Sequence, residues 1–197
     1  CMVHGQTRAP GLAVIGYGKL GGLELGYGSD LDIVFLHDSE GEQQETTGEK
    51  SLDNAQFFAR MTQKMISRMT TQTPAGILYE IDTRLRPDGA AGLLVSSLSA
   101  FADYQLHHAW VWEHQALTRA RWVAGEPGIK AAFEAVRQQV LCQPRDAQAL
   151  RASVVEMRHK MRAELDQKDP GKFHIKTGVG GLTDIEFIVQ YHLLAHA

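Results

Sequence analysis

The chain has 197 residues, 44 % hydrophobic and 22 % charged, with a formal net charge of −3. That composition is ordinary for a globular protein of one or at most two domains. It excludes a polycationic nucleic-acid binder, and no run of about 18 apolar residues or signal segment points to a membrane or to secretion.

Cys1 and Cys142 form no metal or disulfide pattern and suit a reducing cytosol. The chain starts at Cys1 without an initiator methionine and stops at Ala197 inside a helical pattern, so it is expected to be an excised piece of something longer. Leu12 to Ile15 reads as a strand, followed by Gly16-Tyr17-Gly18-Lys19-Leu20-Gly21, a match to G-x-G-x-x-G. Asp38, at the end of the next apolar run, stands about where a dinucleotide fold places its ribose-binding acid. Yet only Leu20 to Ser29 is available for a crossover, and four glycines interrupt it. A parallel crossover needs roughly a dozen or more residues, so a strand, a turn, about two turns of helix and a second strand fit better.

The second strand, Leu31 to Leu36, opens with Ser29-Asp30-Leu31-Asp32. Side chains at i and i+2 share one face of a strand, which stands two carboxylates side by side. Their repulsion is unfavourable unless a cation lies between them. Ser39 to Lys50 is polar, acidic and aperiodic, and is expected to be a mobile surface loop. From Leu52 to Thr70, Phe57, Phe58, Met61, Met65, Ile66 and Met69 recur at helical spacing, with Thr73-Pro74-Ala75-Gly76 ending the helix. Ile77 to Pro87 is a short alternating run carrying Asp82, Arg84 and Arg86, and Gly92 to Val95 offers another strand.

From Ser99 onward the pattern is helical, over Phe101 to Leu106, Trp110 to Trp122, Pro127 to Cys142 and Ala147 to Leu165. His107, His108, Glu113 and His114 lack a second ligand block for zinc. Arg119 and Arg121 read either as phosphate- or protein-reaching groups or as solvated helix charges. Arg158, Lys160 and Arg162 read as a solvated face. Asp169 to Lys172 is a turn leading to a glycine-rich loop and a last helix. There Thr183 and Glu186 match a capping box, and Ile185, Ile188, Val189 and His192 continue an apolar stripe.

A glycine turn followed about ten residues later by Asp-apolar-Asp resembles the nucleotidyltransferase superfamily that includes DNA polymerase beta. The resemblance implies a third acid on a later strand, which Asp82 offers. Gly18-Lys19-Leu20-Gly21-Gly22, Gly28-Ser29-Asp30-Leu31-Asp32, Asp82-Thr83-Arg84-Leu85-Arg86-Pro87 and Gly180-Gly181-Leu182-Thr183-Asp184-Ile185-Glu186, in that order, are together similar to the bacterial glutamine synthetase adenylyltransferases. The wording is nearer to the C-terminal, adenylylating half of that two-headed family than to its adenylyl-removing half.

The resemblance implies an α/β (α+β) chain: a mixed-sheet nucleotidyltransferase core over residues 10–97 and a helical region over 98–197. Asp30, Asp32 and Asp82 are the expected catalytic and metal-holding acids for Mg2+, with Asp82 also assisting deprotonation of the acceptor. Gly18, Lys19, Gly21, Gly22, Ser29, Arg84 and Arg86 are the expected ATP contacts, and Lys176 or Asp184 could touch nucleotide or metal. The implied reaction moves AMP from ATP to a tyrosine of glutamine synthetase in the cytoplasm, with PII and glutamine as regulators and no nucleic-acid or membrane partner. Three readings stand beside it: adenylyl removal by phosphate, a non-catalytic module binding glutamine synthetase or PII, and a dinucleotide-binding domain.

Overall fold

A computed structural model of the chain describes residues 4–6, 11–39, 44–77, 79–165 (side chains to 164) and 173–197. The described residues form a mixed α/β fold of five strands and seven helices. The chain divides into two compact units, Cys1–Ala109 with Arg119–Arg137, and Trp110–Thr118 with Gln138–Ala197.

In the first unit, β1 (Leu12–Gly16) and β2 (Leu31–His37) pair antiparallel, from Leu12 opposite His37 to Gly16 opposite Ile33. This pairing excludes the dinucleotide unit, whose strands run parallel. The segment between them holds only α1 (Gly18–Gly21), one turn of helix where two were expected, because the glycines that follow do not sustain it. β2 runs parallel to β3 (Ile81–Asp82) at its start and to β4 (Val95–Ser97) at its end. β1's other edge is covered by β5 (Arg121–Gly125), antiparallel. The sequence pattern read residues up to Trp122 as helix, whereas the helix α4 (Val111–Leu117) stops earlier. Arg121-Trp122-Val123 then supplies β-prone residues that complete the sheet.

β2 is buried on both faces, which explains its unbroken apolar run. Leu31, Ile33 and Phe35 meet Phe58 of α2 (Asn54–Met69), with Met61, Met65 and Ile66 packed against the same cluster. Burying each such side chain contributes about 1.5–3 kcal/mol. Asp53 caps α2, its carboxylate accepting from the backbone N–H groups of Ala55 and Gln56 at 2.9 and 3.2 Å. Of the loop expected over 39–50, residues 40–43 lie outside the described residues. The remainder is tied down: Thr46 is buried, its N–H donates to the Leu52 carbonyl at 2.9 Å, and Asn54 Nδ2 donates to Ser39 Oγ at 3.1 Å. After β4 comes α3 (Leu98–His107), whose Phe101 packs against Phe133 of α5 (Pro127–Leu141) with ring centroids 5.9 Å apart.

In the second unit, Leu150 and Val154 of α6 (Ala147–Leu165) and Leu194 of α7 (Leu182–His196) form the core, joined by Val111, Phe187 and Tyr191. Glu113 Oε2 accepts the Trp110 N–H at 2.8 Å and caps α4. The capping box expected at Thr183 does not form. α7 begins two residues earlier, with Gly181 at the N-cap, and Thr183 Oγ1 instead donates to the Lys176 carbonyl at 2.7 Å. Ile185, Ile188 and Val189 do share a stripe, but it faces solvent, because α7 is apolar on both sides and periodicity cannot say which side meets the core. The turn read at Asp169 to Lys172 lies outside the described residues.

His37, at the end of β2, is buried, stacks on Phe58 at 5.0 Å, and accepts the Ser39 N–H on Nδ1 at 3.1 Å. Burial pushes its imidazole below the usual range, partly opposed by Asp38 and Asp53. As pH falls through about 6.5 the unfolded chain therefore takes up the proton first. Stability is full above that pH and declines toward the folded value. Urea midpoints measured from pH 7.5 down to 5.5 are expected to fall, and His37→Gln is expected to remove that slope.

Candidate active site

The parallel register that places Leu31 beside Ile81 places Asp32 beside Asp82. Leu31 N–H donating to the Glu80 carbonyl at 2.8 Å anchors this edge. Asp30 shares the face of Asp32 by strand alternation, and oxygen atoms of Asp30, Asp32 and Asp82 lie within 4.8 Å of one another. It is the one group among the described residues with the spacing of a metal site. Asp30 is exposed, Asp32 and Asp82 half-buried. At such separations each carboxylate pair repels by about 1 to 4 kcal/mol, from bulk-water to protein-surface screening.

A neighbouring guanidinium answers part of that repulsion. The Arg84 guanidinium grips Asp82 through Nε, at 3.0 and 2.9 Å to the two oxygens, and through a terminal nitrogen. This pairing holds the Asp82 carboxyl below the usual range, and Asp82, Asp32 and Asp30 together raise the affinity of Arg84 for its proton. Arg84 is 79 % exposed, so the pair is open to exchange with solvent cations. The donor set is entirely carboxylate oxygen, which suits a hard divalent ion such as Mg2+ and argues against zinc or copper.

α1 brings the glycine turn against these acids. Tyr17 N–H donates to the Asp32 carbonyl at 2.9 Å. Gly18 has a φ of +51°, and a Cβ there would lie 2.4 Å from Asp32 Oδ2. Glycine is required both for the left-handed backbone and for the approach of the turn to the carboxylate. Lys19 is exposed and its Nζ donates to Ser29 Oγ at 3.3 Å. Gly21 is buried, and Gly22 N–H closes the turn onto the Gly18 carbonyl at 3.0 Å.

The two arginines read from sequence as phosphate- or protein-reaching groups hold this turn from behind. Arg121 donates from Nε to the Gly21 carbonyl at 3.1 Å and from a terminal nitrogen to the Leu20 carbonyl at 3.0 Å, capping the C-terminal end of α1. Arg119 reaches Glu24 at 2.6 Å. Sequence reasoning missed this clamp because it placed both residues on a helix.

Arg86 likewise differs from expectation. The chain leaves the extended conformation after Asp82, and the Arg86 guanidinium donates to the Thr83 carbonyl and hydroxyl, both at 2.8 Å, and to the Gly92 carbonyl at 3.2 Å. It staples the turn that follows β3. In the second unit, Asp184 accepts from Arg158 Nε at 2.5 Å, Arg162 at 2.8 Å and Gly180 N–H at 2.6 Å. These donors, Gly180 first, hold its carboxyl below the usual range. Arg158 and Arg162, expected on a solvated face, are thus an ion-paired link between α6 and α7. Lys176 offers its carbonyl to Thr183.

The family model for glutamate-ammonia ligase adenylyltransferase matches residues 2–136. Over all 197 residues the chain is 59 % identical to the bifunctional glutamine synthetase adenylyltransferase/adenylyl-removing enzyme of Thioalkalivibrio sulfidiphilus, covering 20 % of that protein. It is 54 % identical over 188 residues to the protein of the same name from Methylococcus capsulatus, covering 95 % of this chain and 20 % of that one. The chain therefore spans about one fifth of the length of the curated relatives it matches.

A Cβ at Gly21 would lie 1.8 Å from the Arg119 carbonyl and 2.6 Å from that of Gly16, and neither backbone atom can swing away. Gly21→Ala is expected to lower unfolding free energy by about 1–3 kcal/mol in urea titration. Lys19→Ala, on an exposed side chain, is expected to stay within about 0.5 kcal/mol.

Proposed function

Because the chain belongs to the glutamate-ammonia ligase adenylyltransferase family, we propose that its β2–β3 edge transfers AMP from ATP to a tyrosine hydroxyl of glutamine synthetase. The tyrosine oxygen forms the new bond to the α-phosphorus, the bond to the β-phosphate oxygen breaks, and pyrophosphate leaves. The observation that carries this reading is the convergence of Asp30, Asp32 and Asp82 beside a glycine turn. Those acids would hold Mg2+, which supplies charge neutralisation at the phosphates and lowers the barrier to attack by the acceptor oxygen.

The chain's own groups divide the remaining work. Backbone N–H groups at the start of α1, over Gly18 and Lys19, with the Lys19 and Ser29 side chains, face the triphosphate, while the Gly21 and Gly22 N–H groups close the turn that presents them. Arg84, exposed to solvent, moves between Asp82 and phosphate. While Arg84 grips Asp82, the carboxylate is a weak base; release of the guanidinium to phosphate returns it toward the ordinary range. Asp82 is then better placed to assist loss of the tyrosine proton, whose usual pKa is about 10. Arg86, through its turn, keeps Asp82 and Arg84 in register. Glutamine synthetase is the proposed acceptor, PII and glutamine are regulators of the longer protein, and the cytoplasm is where ATP and acceptor meet.

A second reading, removal of AMP by phosphate, is favoured by the bifunctional name of the relatives. The two separate in one assay. The chain is incubated with glutamine synthetase, Mg2+ and ATP labelled on the α-phosphate, and the product is mapped by mass spectrometry. AMP on a tyrosine is expected, falling by about a thousandfold in Asp30→Asn and Asp32→Asn while urea midpoints hold, since several kcal/mol of charge stabilisation are lost. Full activity in either variant contradicts the metal assignment. Phosphate-dependent release of ADP from modified synthetase, without labelling, assigns the removing reaction instead.

A further inference from the structure

We propose that the outer face of α2 is a docking groove for an acidic, amphipathic segment of a partner protein. A groove of about 940 Å³ runs along this helix, with Arg60, Lys64 and Arg68 on its wall and Phe57, Met61 and Met65 on its floor. The three cations are exposed. They recur at i, i+4 and i+8, and residues 54–69 contain no Asp or Glu at all. Like charges at that spacing destabilise a helix, and none of the three is matched to an acid by any ion pair among the described residues. A chain with a net charge of −3 thus concentrates three uncompensated positive charges on one stripe.

The floor decides the class of partner. Met61 and Met65 are half-buried against the Leu31–Phe58 cluster, and the part of each that lines the groove is an adaptable apolar surface that, beside the cationic wall, accepts apolar residues and carboxylates together. A helix carrying carboxylates at the same four-residue spacing would set them against Arg60, Lys64 and Arg68 while its apolar face lies on Met61 and Met65. Single-stranded nucleic acid would instead call for open aromatic faces on which bases stack. Phe57 is half-buried and already packed edge-on against Phe58, with centroids 5.7 Å apart. The groove is separate from the carboxylate site, so the inference stands independently of the reaction proposed above.

The test is fluorescence anisotropy with the 197-residue chain and a fluorescein-labelled helical peptide of leucine and glutamate, amphipathic at the helical repeat. Saturable binding that weakens with added NaCl is expected. Lys64→Glu should weaken it about tenfold or more, while Arg151→Glu, an equal charge change on α6, should leave it within about twofold. A scrambled peptide of the same composition should bind about tenfold more weakly than the amphipathic one. No binding, equal binding of the scrambled peptide, no effect of Lys64→Glu, or tighter binding of an oligo(dT) strand would each overturn the proposal.

Discussion

Three carboxylates are held closer together than like charges settle by themselves, and the backbone ladder of β2 holds them there. Asp30 and Asp32 are fixed on one face by strand alternation, and Asp82 is fixed beside Asp32 by a parallel pairing only two residues long. That short pairing survives because its neighbours are anchored elsewhere. Leu31, Ile33 and Phe35 are locked against Phe58 of α2, and Ile81 packs into the same cluster. Apolar burial on one side of the sheet edge thus sustains electrostatic repulsion on the other.

The arginines show how the surroundings are arranged to leave that repulsion in place. Arg121 is turned inward to carbonyls of α1, Arg119 to Glu24, and Arg86 to the turn after β3. Arg84, 79 % exposed, grips Asp82. Cations turned inward support the scaffold, and an exposed one stands at the site. On the proposed reading, a site of this form neutralises itself through Arg84 in isolation and would exchange that cation for phosphate and a divalent ion.

Much of this was legible in the sequence because it depended on local rules. Asp30 and Asp32 share a face by period two, α2 follows from its apolar spacing, and α6 runs over the span its pattern marks. Asp82 became a candidate through the family resemblance, and its pairing with β2 could not be read from spacing alone. β5 was hidden because Arg121 to Gly125 is too short for periodicity to outweigh the helical run before it; its evident signal is a β-prone Trp-Val pair ending in glycine and proline. Thr183 matched a capping box, yet the carbonyl of Lys176 competes for its hydroxyl, a tertiary contact that no local motif encodes. The inward roles of Arg86 and Arg121 were invisible for the same reason.

The most direct test of the carboxylate site is EPR of Mn2+ titrated into the chain together with a non-hydrolysable ATP analogue. Formation of a protein-bound Mn2+ signal is expected in the unaltered chain, with its loss in Asp32→Asn at unchanged stability. Equal Mn2+ binding in both proteins would show that the three carboxylates do not hold the metal, and would contradict the assignment on which the proposed chemistry rests.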